Sequence, residues 1–272
     1  MLTSLLPFLP LLAFGCLTGV TTVLFGFGGG FVTVPVVYGF LTAAAHDDAG
    51  DAMHVAVATS TAVMVVNAVT ATLAQHRAGR LRREYVWPLA GFVLLGAILG
   101  SLAATRLSGT LLHVLFIVYL LVTIADSLLR KGFLAVADGD APRPLGRFTT
   151  TFGGVGIGAV AASLGVGGSV MTVPLLRRRG LPMATATALA NPLSAPVALA
   201  GTLVYALAPV AQAHTGRVGH IDLMACATLL CGSLPTIALV RRIGGRVPDR
   251  VHSAAYVALL VLVLIVMVIT GT

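Results

Sequence analysis

Long apolar stretches joined by short polar ones make up almost the whole chain, and their lengths dictate its architecture. The first series runs Leu5 to Leu24, Phe31 to Ala45, Val55 to Ala74, Val86 to Ala104 and Leu111 to Leu129. After a polar joint from Arg130 to Arg147 comes a second: Phe148 to Ser163, Val170 to Leu176, Ala184 to Ala208, Ile221 to Val240 and Val251 to Ile269. A helix crosses a bilayer with roughly 20 apolar residues, so the pattern predicts an all-α integral membrane fold of about eight to ten membrane segments. The second run of each series is short, which predicts a broken helix followed by a short one.

The two series are related in sequence as well as in hydropathy. Shifted by 139 positions, Gly15, Gly19, Gly26, Gly28 and Gly29 fall on Gly154, Gly158, Gly165, Gly167 and Gly168, and Thr33-Val34-Pro35 falls on Thr172-Val173-Pro174. Farther along, with His46 to Asp51 taken as an insertion, Ala58-Thr59 faces Ala186-Thr187, and Gly96 and Arg106 face Gly232 and Arg242. The expected organisation is a first repeat over 1–130, a cytoplasmic linker over 131–147 and a second repeat over 148–272.

Charge then orients the repeats. Fifteen of the 17 basic residues cluster in four joints: Arg77 to Arg83, Arg130 to Arg147, Arg177 to Arg179 and Arg241 to Arg250. Cytoplasmic loops carry the excess of Lys and Arg, so all four belong inside. A hairpin at the start of each half then carries the first half from outside to inside and the second from inside to outside. The two halves form an inverted repeat with both termini outside, an architecture that puts a site at broken helices near the midplane.

Composition removes other classes. Of 272 residues, 57% are hydrophobic and 10% charged, which excludes a soluble fold and leaves no room for an extramembrane domain. The net charge of +8 is spent in loops, so no nucleic-acid partner is indicated. Lys131 is the only lysine, and no GxxxxGK[ST] is present, so ATP hydrolysis is absent. Cys16, Cys226 and Cys231 lack CxxC or His spacing and read as packing residues; neither metal nor cofactor is called for. The first run lacks a basic flank and reads as a mature helix rather than a signal peptide. Asp126 is expected beside Arg130 at a cytoplasmic helix end, and no buried charge pair is expected anywhere. His54, His76 and His113 are expected at the interface, with Tyr85 and Trp87 as an aromatic anchor. Gly15/Gly19, Gly96/Gly100 and Gly154/Gly158 are small-xxx-small packing pairs.

The segment that carries chemistry is Gly26-Phe-Gly-Gly-Gly-Phe-Val-Thr-Val-Pro35 with its counterpart Gly165-Val-Gly-Gly-Ser-Val-Met-Thr-Val-Pro174. Glycine costs about 1 kcal/mol against alanine inside a helix, so three in a row at Gly28, Gly29 and Gly30 break it. Irregular backbone at membrane depth must line a protein cavity. Short helices starting near Gly30 and Ser169 aim unpaired amides and positive dipole ends at that cavity, which suits an anion. The expected site is Gly28, Gly29, Gly30, Thr33 and Pro35 with Gly167, Gly168, Ser169, Thr172 and Pro174. Thr59, Ser60, Thr61 and Asn67, with Thr187, Asn191 and Ser194 on the following helices, could complete its lining. No ionisable side chain lies at membrane depth, so the ligand brings its own charge. An intramembrane enzyme would need a base beside Ser60 or Ser169, and none is placed there.

These motifs resemble the TauE/SafE family of sulfite and organosulfonate exporters. The likeness rests on Gly28-Gly-Gly-Phe-Val-Thr-Val-Pro35 and Gly167-Gly-Ser-Val-Met-Thr-Val-Pro174, followed by Ala58-Thr59-Ser60 and Ala186-Thr187-Ala188, and spans nearly the whole chain. Ala188 departs from the serine that the resemblance leads one to expect after Thr187. The resemblance implies a multi-pass transporter of the bacterial inner membrane that exports sulfite, thiosulfate or sulfoacetate on an ion gradient. The alternative is a cation-coupled exporter of another small solute. The partners expected are a small anionic substrate and the lipid bilayer, with homodimerisation left open.

Overall fold

The structure, a computed structural model, describes residues 9–44, 51–79, 83–129, 145–210, 216–243 and 248–271. Its helices are α1 Leu9–Phe25, α2 Gly30–Ala44, α3 Ala52–Arg77, α4 Arg83–Val86, α5 Leu89–Ala104, α6 Gly109–Leu129, α7 Gly154–Leu164, α8 Ser169–Arg177, α9 Met183–Leu207, α10 Leu223–Ile243 and α11 Asp249–Thr270. Each of the ten apolar runs is a helix, with bounds shifted by a few residues. A π-helical turn, Thr149–Gly153, leads into α7. Residues 45–50, most of the joint between the series, and Arg80, Arg82 and Arg246 lie outside the described residues.

Among the described residues, six helices are long and apolar enough to cross a membrane: α3, α4 with α5, α6, α9, α10 and α11. Of these α3 and α9 are the most buried, at 78% and 67% of their apolar windows, and they pack on each other at the centre of the molecule. The remaining spans turn Leu, Val and Ile outward, as a lipid-facing surface requires. One element was not visible in the hydropathy. Arg217–Val218 (β1) pairs antiparallel with Ile221–Asp222 (β2), so Ile221 lies in a strand rather than at the start of a helix. Asp222 ends the ladder and caps α10, its Oδ1 accepting from Ala225 N at 2.9 Å.

Glycines decide which helices pair. A Cβ at Gly15 would lie 2.6 Å from the Leu229 carbonyl oxygen, and one at Gly19 2.6 Å from that of Ser233; these seat α1 on α10. Gly96 and Gly100 bring α5 equally close to the Val155 and Ala159 carbonyls of α7, and Gly158 returns the contact at Val93. Backbones approach this closely only without side chains between them. Under the sequence repeat α1 answers to α7 and α10 to α5, so these are corresponding pairs. The α3–α9 and α6–α11 contacts join each helix to its own counterpart.

Candidate functional site

Both glycine clusters interrupt the chain where expected. α1 stops at Phe25, with Gly26, Gly28 and Gly29 at φ of +72°, +61° and +87°. In the second cluster Gly165 caps α7 in the left-handed region at +66°, and Gly167 follows at +70°. Side-chain-bearing residues rarely enter that region, so the glycines set the breaks. In α2 the first amide to reach a carbonyl is Thr33 N, 3.2 Å from Gly29 O; in α8 it is Thr172 N, 2.9 Å from Gly168 O. The amides before each are the orphans that a helix start leaves, and they face the breaks.

The two breaks meet inside the protein. A Cβ at Gly30 would lie 2.7 Å from Gly165 O, and one at Gly167 would lie 3.2 Å from Phe27 O. Ser60 Oγ, on α3, lies 2.8 Å from both Gly30 O and Gly165 O and spans them. Met64, one turn on, puts its Sδ within 3.0 Å of a Cβ at Gly30 and 2.7 Å of one at Gly167. Residues of both breaks are buried.

The remaining candidates divide by where their polar atoms point. Ser169 Oγ and Thr172 Oγ1 are fully buried and have no hydrogen-bond partner among the described residues. Asn191 Nδ2 donates to Thr22 O at 3.5 Å, leaving Oδ1 without a partner among them. Asn67 accepts at Oδ1 from Ser233 Oγ at 2.9 Å, and its Nδ2, also unpartnered among the described residues, lies 2.7 Å from a Cβ at Gly29. Thr33 bonds back to Gly29 O at 2.9 Å, Thr61 to Ala58 O at 2.8 Å and Ser194 to Ala190 O at 3.0 Å.

Three candidates turn elsewhere. Thr59 Oγ1 accepts from Asp222 N at 3.0 Å and anchors the β-ladder. Thr187 Oγ1 donates to Ala184 O at 3.2 Å in its own helix. Pro35 lines an apolar cavity of about 270 Å³ between α1, α2 and α11, whose walls are Leu, Val, Phe and Pro apart from Gly39 and Thr270, the Thr270 hydroxyl donating to Val266 O at 2.9 Å. Pro174 is buried inside α8, its carbonyl accepting from Arg178 N at 3.1 Å. The repeat register after the breaks also shifts. Gly26 meets the Thr187 carbonyl while Gly165 meets that of Val57, so Val57, not Thr59, stands in the place of Thr187. By the same register Ala190 stands where Ser60 does.

Sequence reasoning passed over Thr18, Thr22, Met64 and Ser233. Thr18 Cγ2 would lie 2.7 Å from a Cβ at Gly29, and Thr22 Oγ1 3.4 Å from it. Thr18, Thr21 and Thr22 recur at i, i+3 and i+4 on an otherwise apolar helix and are buried. That hydroxyl stripe was the available signal.

Electrostatics corrects one expectation. A charge pair with one buried member exists: Arg177, only 1% exposed, bonds the partly exposed Asp249 at Oδ2 (2.8 Å) and Oδ1 (3.1 Å), with Ser253 Oγ at 3.2 Å. Arg178 pairs with Asp126; Arg130, beside which Asp126 is expected, lies outside the described residues. His54 and His113, near the starts of α3 and α6, are buried in the protein, and so is Tyr85; Trp87 is exposed. His54 Nε2 lies 3.0 Å from Leu107 O. Its ring sits 5.6 Å from that of His220, in the β1–β2 turn. Burial, then the neighbouring His54, pushes the His220 pKa down, against an opposing pull from Asp51. Cys16 and Cys231 are exposed on the outer surface, and Cys226 is half-buried.

Comparison with known proteins gives the family of the chain. The family profile described as "Sulfite exporter TauE/SafE" matches residues 11–267. A Haemophilus influenzae relative described as "Probable membrane transporter protein" is 28% identical over 170 residues, and the match spans 61% of this chain and 61% of that relative. No solved structure matches. With the profile covering both glycine clusters and every helix between them, the chain belongs to the TauE/SafE sulfite exporter family, while the match spans less than two thirds of the relative's length.

Proposed function

We propose that this transporter exports small sulfur-containing anions such as sulfite, thiosulfate or sulfoacetate, held where the two helix breaks meet. The observation that supports the reading is the close approach of Gly30 to the Gly165 carbonyl, which sets the two breaks, each followed by the orphan amides of a helix start, against one another. Asn67 Nδ2 adds a side-chain donor beside Gly29, and Ser169 and Thr172 add buried hydroxyls. Backbone amides at a helix start bind anions without a charged side chain, and the lack of a Cβ at glycine lets the anion reach them.

The halves work as an inverted repeat that rocks about this site, giving access to one side at a time. The matched helix pairs α1–α10 and α5–α7 support that reading, as does the gathering of basic residues in four joints. The protein sits in the bacterial inner membrane with both termini outside. Asn67→Leu removes the donor beside Gly29 and nearly fills the same volume. In reconstituted vesicles this variant should insert normally and lose most sulfite flux; full flux at wild-type affinity overturns the site.

A further inference from the structure

Ser60 carries one hydroxyl hydrogen, yet its Oγ lies 2.8 Å from two carbonyl oxygens, Gly30 O and Gly165 O. A hydroxyl has a single proton, which the two carbonyl oxygens have to share. The cluster is fully buried, which makes a half-satisfied oxygen–oxygen contact costly. Gly165 caps the carboxyl end of α7, where the helix dipole is negative, while Gly30 opens α2, where it is positive. Three oxygens from three separate segments thus converge on one hydroxyl hydrogen.

We infer that Ser60 Oγ, Gly30 O and Gly165 O form part of a monovalent cation site, for sodium, that joins the two helix breaks. Hard oxygen ligands without a carboxylate suit an alkali ion rather than Mg²⁺ or Ca²⁺, whose sites use acidic side chains. Unwound carbonyls and helix carboxyl ends serve as sodium ligands in transporters with broken helices. The cation lies beside the amides assigned to the anion, so each ion lowers the cost of burying the other. That coupling rests on the anion reading above; the cation site itself does not. Among the described residues the corresponding place in the second half has no hydroxyl, because Ala190 stands in the place of Ser60 with its Cβ 3.1 Å from a Cβ at Gly26.

Thermal melting of purified full-length protein tests the site, titrating NaCl against N-methylglucamine chloride at constant ionic strength with no sulfur anion present. Sodium should raise the melting temperature by mass action. Ser60→Cys, nearly isosteric but a soft and poor alkali ligand, should weaken the sodium midpoint by at least about tenfold. Ser60→Ala should abolish the shift, and the wild-type titration decides the matter even if that variant fails to fold. No sodium-dependent rise in the wild type overturns the site, as does a rise undiminished in Ser60→Cys. Sulfite added separately in N-methylglucamine buffer distinguishes the two readings: stabilisation by sulfite but not sodium sinks the cation site alone. Stabilisation by sodium with none by sulfite, thiosulfate or sulfoacetate supports the cation site and sinks the anion reading alone.

Discussion

Arg177, the last residue of α8, is ion-paired through both carboxylate oxygens to Asp249, the first residue of α11. The same carboxylate accepts from Met183 N at 2.7 Å, so a single acidic side chain ties the end of α8 to the starts of α9 and α11. Asp126 pins the neighbouring Arg178 to α6. The short helix that begins at the second break is therefore fastened at its far end to three other helices.

Removing one partner leaves a buried guanidinium uncompensated, which costs about 3–5 kcal/mol when both groups are fully buried. Asp249 is 37% exposed, so Asp249→Ala should fall at the low end of that range. Arg177→Met together with Asp249→Ala should recover part of the loss, since no charge is then stranded. Melting temperatures of the two single variants and the double variant in detergent check this; additive losses contradict it.

Two aligned glycines should respond differently to the same substitution. Gly29 has φ of +87°, and a Cβ there would lie 2.7 Å from both Asn67 Nδ2 and Thr18 Cγ2. Gly168 has an ordinary helical φ of −65°, and its nearest atom, Leu193 O, is 3.3 Å away. Gly29→Ala should lose about 1–3 kcal/mol to backbone strain and suppress flux, while Gly168→Ala should keep both. Equal effects at the two positions in melting and vesicle flux contradict the asymmetry.

The helix seams offer a cleaner contrast. Gly96→Val and Gly158→Val drive a side chain into a backbone carbonyl and should destabilise by more than the usual 1–3 kcal/mol or so of overpacking. Gly91 and Gly156, on the same two helices, have nothing within 4 Å of a Cβ. Changing either to alanine should be neutral or stabilise by up to about 1 kcal/mol. Thermal melting of the four variants side by side measures the difference.

The placement of the ten helices was legible because apolar run length is a direct physical requirement of the bilayer, and the breaks because adjacent glycines have few other uses. Which way a hydroxyl points was not. Thr59 looked like a partner for Thr187, but helix rotation turns it to Asp222, and an insertion near residues 46–51 hides the true register from sequence matching. Arg177 was misread for a different reason: a triplet of arginines after an apolar run looks solvated until a carboxylate 72 residues away is seen beside it. Asn67 had the right chemistry, and only the neighbouring Ser233 fixes its amide toward Gly29.

A pH dependence follows from His220. Its pKa is lowered in the folded protein by burial and by His54, with Arg217 adding to the effect and Asp51 opposing it. Below the ordinary imidazole value of about 6.5, the unfolded chain takes up a proton that the folded one resists. Stability should therefore fall as pH drops through that value and be unaffected above it. His220→Asn should flatten the decline in melts between about pH 5 and pH 7.5; an unchanged slope contradicts the assignment.

The seating of α1 on α10 has a consequence for how the molecule is made. The bare ridge of Gly15 and Gly19 leaves the ribosome well before Leu229 and Ser233, the residues it fits. Until then that ridge must wait in lipid with its mate still unwritten, so α1 docks only once α10 has been made, and cutting the chain between them would strand two pieces that each need the other to close.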